Sequence, residues 1–474
     1  MSSAATRGGA QRLRDPEALG AALPPRFTVG VATAATQIEG AADLRGASTW
    51  DAFAAEPGRI ADGTTPAVTT DHYHRYREDV ALMRDLGVDA YRFSLGWPRI
   101  QPGGTGPVNA DGVAFYDRLL DELLEAGIEP VVTLFHWDTP EPLQRAGGWM
   151  VRDTAERFGD FAALAAEAFG DRVSKWITLN EPTTVALNGY ALGVHAPGRE
   201  GLFEALTAVH HQLLGHGLAV QALRAGGVRG QIGVTNVHSP VVAGGRGPLT
   251  SVYTRVFDLV HNRVYADPIL LGRYPRVPLL ARRDFRPLLE ADPADLAVIH
   301  QKLDFYGVNY YMPTRIRAGA PPTTHTPDGD APAMQDLPFH LAEWPEFPRT
   351  GFGWPIAPEY LAHTLREQVE RYGDALPPVY ITEGGASFPD AIGPDGRVDD
   401  EARIRYLADH LEAALGVTGI DLRGYFVWTL MDNWEWAAGF TQRFGLVHVD
   451  VDTQERTPKA SYHWLRRALA ARQR

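Results

Sequence analysis

Eight short apolar runs, separated by segments of helical periodicity, constrain this chain more than any other feature. They lie at residues 27–34, 89–95, 129–135, 175–180, 231–237, 304–310, 378–383 and 423–430. Runs of that length, rich in β-branched and aromatic residues, read as strands buried on both faces, as in a parallel sheet. Helical patterns fall between them at 73–86, 113–126, 154–169, 202–225 and 401–414. Gly87, Gly127 and Gly170 stand where a helix would be closed by a C′ glycine. Eight strands alternating with helices predict an α/β fold, a (β/α)8 TIM barrel, as a single domain with elaborated βα loops. An open doubly wound sheet is the other solution, but no Gly-rich dinucleotide fingerprint follows the first run.

No Gly/Ser-rich linker or composition shift divides residues 24–474, which are expected to form the one domain. Residues 1–23 are polar and Ala/Gly-rich and read as a disordered N-terminal tail. Residues 318–352 are dense in Pro, Gly and polar side chains and follow the sixth run. They are expected to form a long loop over the C-terminal mouth of the barrel.

Composition removes several function classes. A net charge of −13 argues against nucleic acid or an anionic membrane as the main partner. With no cysteine, the chain has no disulfide, no thiolate nucleophile and no Cys-ligated zinc. No apolar stretch is long enough to span a bilayer, and the start lacks the apolar core of a secretory signal. A cytoplasmic protein, monomeric or homo-oligomeric, is the expectation.

Two glutamates stand in matching settings. Glu181 closes the run Lys175-Trp176-Ile177-Thr178-Leu179-Asn180, and Glu383 closes Pro378-Val379-Tyr380-Ile381-Thr382. Each is followed by a breaker, Pro182 or Gly384, so the strand stops where the carboxylate appears. Strand tips on the C-terminal face of a barrel are where its chemistry is placed. The other strand ends carry compatible groups: Gln37 and Glu39; Arg92; His136-Trp137-Asp138; Asn180; Asn309-Tyr310-Tyr311; Trp428, then Glu435 and Trp436. Two carboxylates, amides, an imidazole and large flat rings suit a sugar, whose hydroxyls ring C–H faces that pack on aromatics. Phosphate would call for a Gly-rich cradle or an Arg/Lys cluster, and neither is evident.

At these residues the chain resembles the family 1 glycoside hydrolases, the β-glucosidase family, from about Phe27 to Trp464. The matching segments are Gln37-Ile38-Glu39-Gly40, Tyr91-Arg92-Phe93-Ser94 with Trp97-Pro98-Arg99-Ile100, Phe135-His136-Trp137-Asp138 and Thr178-Leu179-Asn180-Glu181-Pro182. They continue with Gly307-Val308-Asn309-Tyr310-Tyr311, Ile381-Thr382-Glu383-Gly384 and Trp428-Thr429-Leu430-Met431-Asp432-Asn433-Trp434-Glu435-Trp436. The resemblance implies Glu181 as general acid/base and Glu383 as nucleophile, with no metal or organic cofactor. It implies Gln37, His136, Asn180, Glu435 and Trp436 on the sugar hydroxyls, Trp428 under the ring and Trp354 beneath the leaving group. Trp137, Tyr311 and Phe444 join the substrate surface, and Arg92, Asn309 and Tyr311 orient the nucleophile.

The implied reaction is retaining, exo-acting hydrolysis of terminal β-D-glucosyl residues in small β-glucosides and β-linked oligosaccharides, with β-galactosides or β-fucosides as further substrates. Two carboxyls about 5–5.5 Å apart would give that outcome through a covalent glycosyl-enzyme. The alternatives are a weak or inactive sugar-binding barrel, or a 6-phospho-β-glycosidase. Against the latter, the phosphate-holding small residue and Lys/Tyr pair are replaced by Glu435, followed by Gln442, Arg443 and Phe444. Two positions depart from the family pattern: the usual Asn after the nucleophile is Gly384, and the common aromatic before Gln37 is Thr36. If that Asn braces the strand end, restoring it would raise kcat; a neighbour already filling its space would reverse the sign. His72-x-His74 and the helical set His210, His211 and His216 are expected to pack, not to bind metal.

Overall fold

The computed structural model describes residues 13–320 and 337–472. All eight expected strands form: β1 Thr28–Ala32, β2 Ala90–Ser94, β3 Glu129–Phe135, β4 Lys175–Asn180, β5 Gln231–Val237, β6 Phe305–Asn309, β7 Val379–Gly384 and β8 Leu422–Trp428. They close into one barrel in chain order, β1 pairing with both β2 and β8. Every pairing is parallel. Closure leaves no unpaired strand edge.

Large side chains fill the barrel, among them Val131, Ile177, Phe305, Tyr380 and Phe426. Glycine on a neighbouring strand makes the room. A Cβ on Gly233 would sit 2.6 Å from the Phe305 ring, and one on Gly30 would sit 2.4 Å from Phe426. Outside, helices bury one apolar stripe each. Ala110–Glu125, for example, buries Phe115, Tyr116, Leu119, Leu120 and Leu123, the spacing of one helical face. Gly87 and Gly127 are left-handed as expected, with φ of 81° and 74°. Gly170 is not: its φ is −62°, and glycine serves there because a Cβ would lie 2.4 Å from the Ala166 carbonyl oxygen.

Two sequence expectations need correction. Residues 1–12 lie outside the described chain, but residues 13–23 are not a disordered tail. Pro16–Ala22 is a helix whose N-cap, Asp15, accepts the Glu17 N–H. Leu13, Leu19 and Leu23 are buried, the Gly20 backbone closes against the Ala468 carbonyl, and Trp464 donates to the Arg14 carbonyl at 2.8 Å. The average polarity of the segment hid these three leucines. The stretch 318–352 is likewise not all loop. Thr314–Ala318 pairs with Val241–Ala243 and with Phe339–Leu341 in a three-stranded sheet, while residues 321–336 lie outside the described chain. No helix among the described residues is long and apolar enough to cross a membrane.

Candidate active site

Glu181 and Glu383 sit at the ends of the two strands that slip register at their tips. On β4, Ile177 faces Gly233 and Asn180 faces Thr235, so β4 spends one more residue than β5 over that step. On β7, Ile381 faces Val308 and Glu383 faces Asn309, again one residue more than its neighbour. An extra residue bends a strand and re-aims the side chain that follows. Glu181 then turns left-handed (φ 45°, ψ 63°) and starts the short helix Pro182–Thr184. Both carboxylates are buried, at 5% and 3% exposure.

Their partners differ, and that difference sets their chemistry. Arg92 Nη1 donates to Glu383 Oε1 at 2.5 Å, and the Tyr311 hydroxyl donates to Oε2 at 2.6 Å. Arg92 is itself fixed by the Thr382 carbonyl (3.0 Å), Asn180 Oδ1 (2.6 Å) and Thr133 Oγ1 (3.2 Å). Glu181 receives only neutral donors: Asn309 Nδ2 on Oε1 at 2.6 Å and Thr184 Oγ1 on Oε2 at 2.7 Å. Asn309, assigned from sequence to the nucleophile, thus bonds directly to Glu181. It reaches the β7 tip by accepting from Thr382 Oγ1 at 2.8 Å. Thr184 escaped the sequence reading, although it stands three residues after Glu181, the spacing of one helical turn.

Burial pushes Glu181 up to about 8, with the negative charge of Glu383 adding to the rise and Asn309, Thr184 and Arg92 opposing it. Burial raises Glu383 too, but Arg92, Tyr311 and Asn309 all act to lower it. The guanidinium is on Glu383, so Glu383 is the carboxyl that ionises first and Glu181 the one that keeps its proton. His136 is held neutral by burial and by the Arg92 charge.

The remaining expected residues surround this pair. Asn180 Nδ2 meets His136 Nε2 at 3.1 Å, and Trp137 Nε1 donates to the Asn180 carbonyl at 2.9 Å. Gln37 Nε2 is shared among Glu435 Oε2 (3.2 Å), Asn433 Oδ1 (3.1 Å) and the Trp434 carbonyl (3.0 Å). Gln37 Oε1 and His136 Nδ1 are buried without a protein partner. Glu435 is driven up to about 8 by burial and by Glu383, with Gln37 acting against the rise. Trp428 lies 5.7 Å from the His136 ring, and Trp436 packs between Trp137 (4.5 Å) and Trp50 (4.6 Å). Trp354 stacks on Phe352 at 4.7 Å and meets the edge of Tyr311 at 5.7 Å; Phe444 closes that side, 6.4 Å from Tyr311.

Four strand-end residues do not join the site. Glu39 is bonded to Arg99 at 2.6 Å and to the Tyr116 hydroxyl at 2.6 Å, inside the wall. Asp138 accepts the Trp97 N–H at 3.0 Å, and burial lifts it to about 7. Tyr310 turns outward to the Ala357 carbonyl at 2.7 Å. Thr36 is buried in the turn of helix Ala35–Ile38. The histidines singled out from sequence have ordinary partners: His72 with Asp79, His74 with Asp71, His210 with Asp295 and Tyr274, His211 with the Trp149 carbonyl, His216 with Thr178.

The profile of glycosyl hydrolase family 1 matches residues 20–473. β-Glucosidase A of Thermotoga maritima is 42% identical over 449 residues, which cover 93% of this chain and 96% of that protein. A bifunctional β-D-glucosidase/β-D-fucosidase of Bifidobacterium breve is 42% identical over 463 residues, 94% of this chain and 98% of that one. Among solved structures, the T. maritima β-glucosidase in complex with glucoimidazole superposes with a TM-score of 0.87 at 41% identity, covering 95% of this chain and 99% of its own. A psychrophilic β-glucosidase from Micrococcus antarcticus gives 0.90 at 44% identity, covering 96% and 99%.

Proposed function

The chain belongs to glycosyl hydrolase family 1, and from that premise we propose that residues 24–474 form a retaining, exo-acting β-glucosidase. Its substrates are small β-glucosides and β-linked oligosaccharides, with β-fucosides as a second class; the Bifidobacterium breve relative, whose name joins both activities, supports this. A cytoplasmic location is part of the reading and is tested by cell fractionation.

The observation that carries the mechanism is the guanidinium on one carboxylate only. Glu383, ionised against Arg92 and Tyr311, attacks the anomeric carbon. Glu181, protonated near neutral pH, delivers its proton to the glycosidic oxygen as that bond breaks, since an alkoxide is a poor leaving group. The product of this half is a glycosyl ester on Glu383 and a free alcohol. Esterification removes the Glu383 charge that was raising Glu181, so Glu181 becomes more acidic and takes a proton from the attacking water. Gln37 and Glu435 meet sugar hydroxyls at the closed end of the pocket, and Trp354 supports the leaving group.

Azide separates the two roles. Glu383→Gly is expected to abolish turnover, and azide to restore it while giving the α-glycosyl azide. Glu181→Ala with azide gives the β-anomer, because the covalent ester still forms. The same anomer from both variants would overturn the assignment, and an unaltered rate in either would remove that residue from the chemistry. In the intact enzyme kcat/KM follows a bell. Its basic limb falls near pH 8 as Glu181 loses its proton, and its acid limb lies above the ordinary glutamate range because burial raises Glu383.

A further inference from the structure

The loop after β7 begins at the nucleophile, the loop after β8 carries Glu435, Trp436 and Phe444, and one buried cluster of charges ties the two together. Lys459 Nζ donates to Asp390 Oδ2 at 2.6 Å and to Asp432 Oδ1 at 2.8 Å, so a single ammonium bridges both loops. Asp432 Oδ1 also takes the Gly445 N–H at 2.8 Å, which draws the ends of the β8 loop into a neck. The neck requires glycine: a Cβ on Gly445 would lie 2.1 Å from the Asp432 nitrogen. Arg403 makes a second bridge. It donates to Asp390 and the Ala386 carbonyl on one loop, and to the Arg443 and Phe444 carbonyls on the other at 3.1 and 3.2 Å. From the β7 loop the linkage passes on to the leaving-group side. The Ser387 carbonyl takes the Gly351 N–H at 2.7 Å, and Ser387 Oγ takes the N–H of Phe352, the ring on which Trp354 stacks.

Lysine occurs only at 175, 302 and 459 among the 45 basic residues of the chain. Position 459 is a costly one for a cation. It is fully buried, and it is the N-cap of the helix Ala460–Ala470, whose dipole opposes positive charge. A compact ammonium with three donors is stable there only against fixed counter-charges, and Asp390 and Asp432 supply them from the two loops. Resting on the β-glucosidase reading, in which Glu435 meets hydroxyls at the closed end of the pocket, we propose that Lys459 is a positioning residue. It holds Glu435 in register with Glu383 and thereby makes the enzyme selective for a sugar bearing the C6 hydroxymethyl group. The substituents on C4 and C5 of a pyranose lie across the ring from C1. A carboxyl that reads that far end must therefore keep a fixed spacing from the nucleophile that attacks C1. A small error in the spacing costs the contact to the far hydroxyls, whereas a sugar without C6 has less of that contact to lose.

The test measures Tm together with kcat/KM on an aryl β-glucoside and on the matching aryl β-xyloside, the same ring without C6. Asp390→Asn removes one end of the bridge. It also balances Asp400 and Asp432 against Arg403 and Lys459, so no buried charge is left uncompensated. The glucoside-to-xyloside ratio is expected to fall about three- to tenfold in Asp390→Asn and further in Lys459→Met, with the glucoside taking nearly all of the loss. Should Lys459→Met not fold, Asp390→Asn decides alone. A ratio unmoved in Asp390→Asn, or equal losses on both sugars that follow a fall in Tm, leaves the cluster a structural role only and overturns the proposal. Glu435→Gln serves as the control and lowers the same ratio. No change there overturns the reading of Glu435, and the proposal with it. An unaltered enzyme that leaves the aryl glucoside intact overturns instead the β-glucosidase function on which both rest.

Discussion

At Gly384 the space beyond the backbone is already taken. A Cβ there would meet the Tyr425 hydroxyl oxygen at 2.2 Å and its ring carbon Cζ at 2.8 Å, and the residue is not left-handed. The expected bracing Asn would therefore clash with a rigid ring that is anchored on β8. Gly384→Asn alone is predicted to lower both kcat and Tm, with an overpacking cost of about 1–3 kcal/mol. Gly384→Asn with Tyr425→Leu should recover part of both, and Michaelis curves with thermal melts on the two variants decide it. A rise in Tm for the single variant would mean that the ring yields freely. Glu435 shows the same conflict between packing and function in its protonation. Its carboxyl titrates near 8 in the folded protein, against about 4.5 for an ordinary glutamate. The folded state thus keeps a proton that the unfolded chain releases first, and stability falls as pH rises from about 4.5 to about 8. Glu435→Gln removes that loss. Its Tm gain should be small at pH 5 and larger at pH 8, reaching on the order of 1 kcal/mol or more. The same variant loses about 0.5–1.5 kcal/mol in kcat/KM on glucosides, because the amide puts an N–H group where the carboxyl had an oxygen able to accept from a sugar hydroxyl. A Tm gain equal at both pH values would show that Glu435 is not held protonated.

At the scale of the strand, the apolar runs and their abrupt ends made the barrel and both carboxylates legible. Nothing but a buried strand explains Lys175–Asn180 stopping at Glu181-Pro182, and β7 repeats the pattern at Glu383-Gly384. The direction of each side chain at a tip was not legible, because one inserted residue reverses the face. Tyr310 and Tyr311 are neighbours in sequence, yet one bonds outward to Ala357 and the other inward to Glu383. Glu39 and Asp138 were read as pocket residues, but they lie past the strand ends and bond within the wall, while Asn309 bonds Glu181 and also acts to lower Glu383. The inward Tyr311 has a measurable consequence. Tyr311→Phe deletes a donor to the ionised nucleophile, so the pKa of Glu383 rises and the acid limb of kcat/KM moves to higher pH. A fall in kcat of about tenfold should accompany the shift. If kcat falls while the acid limb stays in place, Tyr311 acts on the sugar and not on the carboxylate.

Across the whole molecule, the two ends of the barrel are specialised for different work. The C-terminal mouth gathers two buried carboxyls, Glu181 and Glu383, and the partly buried Glu435 with one buried guanidinium, Arg92, bonded to Glu383 alone, an arrangement that opposes folding stability. Stabilising contacts collect at the opposite face, where the described residues begin and end. There the helix Pro16–Ala22 lies on the final helix Ala460–Ala470. Arg14 bonds Asp409 at 3.0 Å, and Arg472 donates to the Phe27 carbonyl at 3.0 Å and to Asp89 at 2.7 Å, beside the first residues of β1 and β2. Removing residues 1–23 would expose the surface that Leu13, Leu19 and Leu23 now cover. Each buried leucine contributes about 1.5–3 kcal/mol, so the shortened chain is predicted to melt several degrees lower. Its kcat and the pH limbs of kcat/KM should hold, because no atom of the catalytic network lies at that face. An unchanged Tm would return residues 13–23 to the disordered tail that their composition suggests. A shifted basic limb would show that the two faces of the barrel are coupled.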